Sequence, residues 1–227
     1  MKIKTRSERL EAYNAKYPDR DYDPERSLQR YFDLRGWSYR KAQEKASKKL
    51  EKILAEREYE TIRIVMYEYP MKTDRPRSTG DGHIYSPNAS SNHAYFERAM
   101  RKVCNQVKLI TTPTEIEIDA YLEMPTQVKP DEVILYESKV LDVLDMPDYD
   151  NIGKCYTDIQ KLVTLLDDDQ VHVGIVKKFY SVLPRVEIRI TYLKKHESDY
   201  IYRKLKARKS VKAAIEAGQL TLEKIQY

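Results

Sequence analysis

From Thr61 to Leu193 the apolar positions switch between two spacings, one of period two and one of period 3.6. TIRIVMYEY sets Ile62, Ile64 and Met66 on one side. TEIEIDAYLEM sets Ile116, Ile118, Ala120 and Leu122 against Glu115, Glu117 and Asp119. Both patterns predict half-buried strands. Between them Phe96, Met100, Val103 and Val107 share a helical face, with Ser91 or Asn92 as candidate caps. A second helix is predicted from Ile152, Cys155, Tyr156, Ile159, Leu162, Val163 and Leu166. QVHVGIVKKFY and RVEIRITYL then predict two strands with a turn near Leu183-Pro184, read as an antiparallel hairpin. Residues 126–146 fit a strand, a short helix or an inserted loop equally well. The order is β–α–β–(insert)–α–β–β, an α+β domain over 61–193.

The flanks have a different character. Residues 1–60 hold no glycine before Gly36, and Ala42, Ala46, Leu50, Ile53 and Leu54 fall at helical spacing among charged residues. A polar break at 17–25 makes Pro24 a plausible first helical residue. Residues 194–227 return to a basic helical pattern. The expected organisation is therefore a helical basic extension (1–60), the central domain (61–193) and a basic helical C-terminal extension (194–227).

Charge sharpens this division. Residues 1–60 carry 16 Lys/Arg against 12 Asp/Glu, residues 61–193 carry 16 against 20, and residues 194–227 carry 9 against 4. An acidic centre between basic ends suits a polyanion-binding protein whose carboxylates take up cations. No run of 18 apolar residues is present, and the first residues lack the apolar centre of a signal peptide, so a cytoplasmic protein is expected and no membrane partner. Cys104 and Cys155 form no CxxC pair and read as reduced core thiols. His83, His93, His172 and His196 show no ligand spacing.

The candidate chemistry lies in two acidic blocks. MPDYDNIGK places Asp148 and Asp150 one residue apart at a predicted helix start, with Asp150 as the expected cap and Lys154 one turn in. LLDDDQVHV adds Asp167, Asp168 and Asp169 where that helix hands over to a strand. Each block alone is ordinary turn and capping chemistry. Together they offer the hard oxygen donors that divalent cations need, and unneutralised carboxylates so placed would raise one another's pKa. A helix of about 15 residues spans roughly 22 Å, so the blocks meet only if the chain folds back or a second subunit brings them together.

PDYDNIGK followed by DDDQVHVGIVKKF resembles the RusA family of crossover-junction endodeoxyribonucleases, Holliday-junction resolvases of phages and prophages. KTDRPRSTGDGHIYSP resembles that family's basic loop after the first strand. The resemblance covers about Ile62 to Tyr192 and implies a RusA-like β-α-β-α-β-β core. It implies that Asp148, Asp150 and Asp168 bind Mg²⁺, with Mn²⁺ able to substitute, and that Lys154 is the catalytic lysine. Asp167 or Asp169 could take the place of Asp168. Arg75, Arg77, Lys177 and Lys178 are the candidate DNA contacts, and Tyr85 a candidate for base stacking. The implied partner is branched DNA, a four-way junction cut by a homodimer. A flap or branched-DNA nuclease and a non-catalytic DNA-binding relative are the competing readings. The first of these is kept in view because the insert before the motif, DEVILYESKVLDVLDM, is acidic where the family has a basic one, while the intact DxDN-xx-K argues against the second.

Overall fold

The strands fall where the period-two pattern places them, and one of the predicted pairings does not form. The computed structural model describes residues 5–16, 23–72, 77–78, 80–81, 84–85, 89–103, 109–194 and 209–217. The chain divides into two compact units, Met1–Glu56 and Arg57–Tyr227.

The first unit holds α1 (Arg6–Lys16), α2 (Pro24–Asp33) and α3 (Tyr39–Glu56). Asp23 caps α2, its carboxylate accepting from Arg26 N at 2.9 Å, and Pro24 is the first helical residue. Gly36, at φ +64°, supplies the left-handed residue that turns the chain toward α3. Neither α2 nor α3 contains a buried residue. Phe32 instead packs edge-on against Trp37 at 5.9 Å, and the Arg35 guanidinium lies over the Tyr31 and Trp37 rings.

The second unit is built on a four-stranded sheet in the order β1-β6-β4-β5, from β1 (Tyr59–Met66), β4 (Thr114–Glu123), β5 (Val171–Ser181) and β6 (Arg185–Leu193). β6 runs antiparallel to both of its neighbours, and β4 and β5 are parallel. The expected β5–β6 hairpin is therefore not formed, because β4 lies between the two strands. Residues 182–184 are long enough to pass the end of β4, and alternation within a strand does not encode its neighbour. One face of the sheet carries the row Ile64–Ile188–Ile118–Val176 and its neighbours. α4 (Ala89–Val103) and α6 (Tyr149–Asp158) cover that face with Phe96, Met100, Ile152, Cys155 and Tyr156. Burying each large side chain in this layer contributes about 1.5–3 kcal/mol.

The other face carries the rows Arg63–Arg189–Glu117–Ile175 and Val65–Glu187–Asp119–Lys177. Lys177 and Arg189 both bond Glu117, and the Lys177 hydrogen bond is the main reason that carboxyl lies below its usual range.

Three further elements depart from the sequence reading. The polar loop after β1 contains a small pair, β2 (Arg77–Ser78) with β3 (Ile84–Tyr85). α4 begins at Ala89, so Ser91 and Asn92 lie inside it rather than at its cap. The open segment 126–146 contains a short helix, α5 (Pro130–Glu137), started by Pro130 and by Glu132 accepting from Lys129 N at 3.1 Å. Cys104 and Val107 lie outside the described residues, and Cys155 is buried. A last helix, α7, spans Lys209–Glu216. Among the described residues no helix is long and apolar enough to cross a membrane.

Candidate active site

The helix that presents the first acidic pair starts two residues earlier than its sequence suggests. Asp148, with extended φ −64° and ψ 145°, occupies the N-cap position, and Ile152 N bonds its carbonyl at 3.2 Å. Asp150 lies in the first turn and is not the cap. The apolar stripe of Ile152, Cys155 and Tyr156 fits either start, which is why spacing alone favoured the wrong aspartate. The Asp148 carboxylate makes no capping bond to the helix backbone, and its Oδ2 accepts from Asn151 Nδ2 at 3.4 Å. Asp148, Asp150 and Lys154 are all exposed. Two adjacent carboxylates at the positive end of a helix are favourably placed, and both face water.

The turn that delivers Asp148 is fastened to β5. Lys178 Nζ donates to the carbonyls of Asp145 at 2.7 Å and Pro147 at 3.2 Å, and the Tyr180 hydroxyl donates to Asp145 Oδ2 at 3.1 Å. Burial, then that bond to Asp145, pushes the Tyr180 hydroxyl up to about 12. The Met146-Pro147 peptide is cis. Beside it, Tyr69, Pro70, Met71, Lys72 and Asn92 complete a groove of about 460 Å³ with Met146 and Pro147. Met71 N donates to the Tyr156 hydroxyl at 2.9 Å, which ties the groove's far wall to α6.

The second block sits differently. α6 ends at Asp158, and the expected helix to Leu166 is replaced by a wound turn. Gln160 is fully buried there, its Nε2 donating to Tyr156 O at 2.7 Å and its Oε1 accepting from Thr164 Oγ1 at 3.1 Å. Ile110 N bonds Thr164 O at 2.7 Å and Leu166 N bonds Ile110 O at 3.1 Å, so the apolar residues of this turn are buried without being helical. Asp167 is fully buried, pairs with Lys161 at 2.8 Å and accepts from Asp168 N at 2.9 Å. Gln170 is also buried and donates to the carbonyls of Ile110 and Thr112. Asp167 and Gln170 therefore hold the fold, a role that a surface-like DDDQ string gives no sign of.

Asp168 is half-buried and Asp169 exposed. A hydrogen bond with Asp167, then burial, holds the Asp168 carboxyl above its usual range. Asp158, which follows Lys154 by one turn, is likewise raised by burial while Lys154 and Lys161 oppose the shift.

The structure does not bring the whole predicted set together. Among the described residues no three His, Cys, Asp or Glu side chains converge to hold a metal ion within one chain. The donors fit a hard divalent cation in kind, and magnesium needs only one or two carboxylates beside water and phosphate oxygens. Lys177 lies on the opposite face of the sheet from Lys178, bonded to Glu117, while Lys178 is committed to the Asp145–Pro147 turn. Arg77 pairs with Tyr85 in the β2–β3 ladder, and Arg75 lies outside the described residues.

Sequence reasoning also passed over Glu68. It lies just before the groove, half-buried, with Oε1 unpartnered among the described residues and its carboxyl raised chiefly by burial. Its isolation between apolar residues in the sequence carried no signal.

The family model for the endodeoxyribonuclease RusA matches residues 68–191. That span includes Glu68, the groove, both acidic blocks, β4, β5 and most of β6, while β1 precedes it. An uncharacterized protein of Bacillus subtilis (strain 168), YqaN, is 31% identical over 137 residues, covering 57% of this chain and 94% of the relative. The geometry of the α6 start and the extent of the match agree, and the chain belongs to the RusA family of endodeoxyribonucleases, nucleases acting on DNA.

Proposed function

We propose that this protein is a divalent-metal-dependent endonuclease that resolves four-way DNA junctions as a homodimer, in recombination and repair in the cytoplasm. The observation that carries the reading is the start of α6. Asp148 and Asp150 are presented to solvent with no capping duty, and Lys154 lies one turn on, inside the family-matching span.

Asp148 and Asp150 would hold Mg²⁺ or Mn²⁺ together with Asp168 or Asp169. A cation bound there supplies Lewis-acid stabilisation of the charge that builds on the phosphate. Water attacks the phosphorus in line, the bond to the 3′ oxygen breaks, and that oxygen takes a proton to leave as a hydroxyl. Lys154 offsets the phosphate charge or donates that proton. The burial of Asp167 against Lys161 favours Asp168 or Asp169 over it as the ligand.

Separation of the two blocks within one chain favours a second copy as the source of the missing carboxylate. A twofold dimer also presents two equivalent sites to the two strands that a resolvase must cut.

The test is cleavage of a labelled synthetic four-way junction and a matching linear duplex, with Mg²⁺ or EDTA. The expected result is paired, symmetric nicks in the junction alone, lost in Asp150→Asn while binding persists. Binding without cleavage under any divalent metal would refute the enzyme reading. Equal cutting of flaps and forks would favour the branched-DNA nuclease, a reading supported by the acidic start of α5, with Asp131 and Glu132 in its first turn.

A further inference from the structure

We infer that α3 carries a second, sequence-independent binding surface for the phosphate backbone of duplex DNA, outside the family-matching segment. Lys41, Lys45, Lys48 and Lys52 follow the spacing i, i+4, i+7, i+11, which places them along one side of the helix, and Lys49 borders the same row. All five are exposed. Lys41, Lys45, Lys48 and Lys49 make no ion pair among the described residues, and Lys52 reaches only Glu56, at 3.9 Å. Glu44 is engaged by Arg40 at 3.4 Å instead. Ala42, Ala46 and Ile53 lie roughly a third of a turn round the helix from that row, with Lys49 at the border between the two.

The dimensions suit a duplex. Eleven residues of helix span about 16 Å. Over that length B-DNA presents a phosphate charge every ~1.7 Å of axis. Lysine is a point charge on a flexible stem, suited to phosphates and poorly suited to reading bases.

The central segment makes such a surface useful. With 16 Lys/Arg against 20 Asp/Glu, residues 61–193 carry a net charge of −4 and repel the substrate they act on. Lys177 and Lys178, the basic pair within it, are both engaged inside the fold. The inference rests on DNA being the substrate and is independent of whether cleavage occurs.

The experiment measures binding of the full chain to a 20-base-pair duplex and a four-way junction in EDTA, across a salt series. The variant is Lys41→Gln/Lys45→Gln/Lys48→Gln/Lys49→Gln, beside the matching fourfold Lys→Arg chain. Loss of four phosphate contacts should weaken binding by about tenfold or more at low salt, and flatten log K against log salt by roughly 3 to 4. The arginine chain should retain wild-type behaviour. Emission from Trp37, the single tryptophan, reports whether the α2–α3 turn is intact, since it packs on Phe32 and Arg35.

Unchanged affinity and slope in the glutamine variant, with native Trp37 emission, would overturn the inference. So would weaker binding at an unchanged slope, because phosphate contacts would not be what was lost. Loss of binding to anionic phosphatidylglycerol vesicles with DNA binding intact would assign the surface to membranes and overturn it equally. Failure of the junction to be nicked in Mg²⁺ bears on the proposed function alone.

Discussion

Asp119 shows what burial does to a single carboxylate in this sheet. It is 9% exposed, its Oδ1 has no hydrogen-bond partner among the described residues, and Oδ2 reaches Arg189 only at 3.9 Å. Burial raises its pKa above the usual range, with Lys177 opposing. A carboxyl raised in the folded state disfavours folding when ionised; that penalty is present above the folded pKa and fades as pH falls through it. Asp119→Asn should therefore raise the thermal midpoint at pH 7, and the gap should close on acidification toward pH ~4. A midpoint that drops at pH 7 would mean that the charge is held by Lys177 and Arg189 more strongly than burial opposes it.

At Asp167 substitution should destabilise instead. Asp167→Ala should cost about 1–3 kcal/mol in urea unfolding by leaving Asp168 N without its acceptor and removing the pair with Lys161. Sequence resolves these positions unevenly. That Asp148, Asp150 and Lys154 stand at a helix start was legible because turn chemistry, charge and spacing coincide there. The separate duties of Asp167, Asp168 and Asp169 were not, since three identical side chains differ only in what the fold packs around them.

Between elements, the contact that sets how closely α6 approaches β5 is Gly153. A Cβ built there would lie 3.0 Å from Val176 Cγ2. Alanine gains about 1 kcal/mol of helix propensity and meets about 1–3 kcal/mol of overpacking. Gly153→Ala should thus be slightly destabilising alone and stabilising in a Val176→Ala background, a reversal that a double-mutant cycle in urea reads directly. Lys178 makes the other link, from β5 to the turn before Asp148. Lys178→Met should lower the rate of junction cleavage while leaving DNA affinity in EDTA unchanged; an equal loss of affinity would make Lys178 a phosphate contact after all.

β1 and β6 were legible because burial alternates with period two along both, whereas in β5 the apolar Val173 and Ile175 are exposed. The stretch after Asp158 was not. Val163 and Leu166 keep helical spacing while being buried by a turn clipped to Ile110, and periodicity records burial rather than the path that achieves it.

For the molecule as a whole, the proposed dimer can be tested through its site. Asp150→Asn and Asp168→Asn chains, each inactive alone, should regain junction nicking when unfolded together and refolded as a mixture, if one site draws ligands from both copies. No recovery, with mixed dimers shown by mass spectrometry, would place each site within a single chain.

The core's own chain ends lie side by side. Tyr59 pairs with Leu193, and Lys194 N bonds Glu58 O at 2.9 Å. A short bridge from Lys194 back to Glu58 would close the core into a ring, and the exposed turn at Thr126–Gln127 offers a place to open it again. A circular permutant made in that way should keep the same sheet, with β4 near its carboxyl end and β5 and β6 ahead of β1. Chain joined before Glu58 or after Lys194 would then be an attachment that can be moved or exchanged without rewiring a strand.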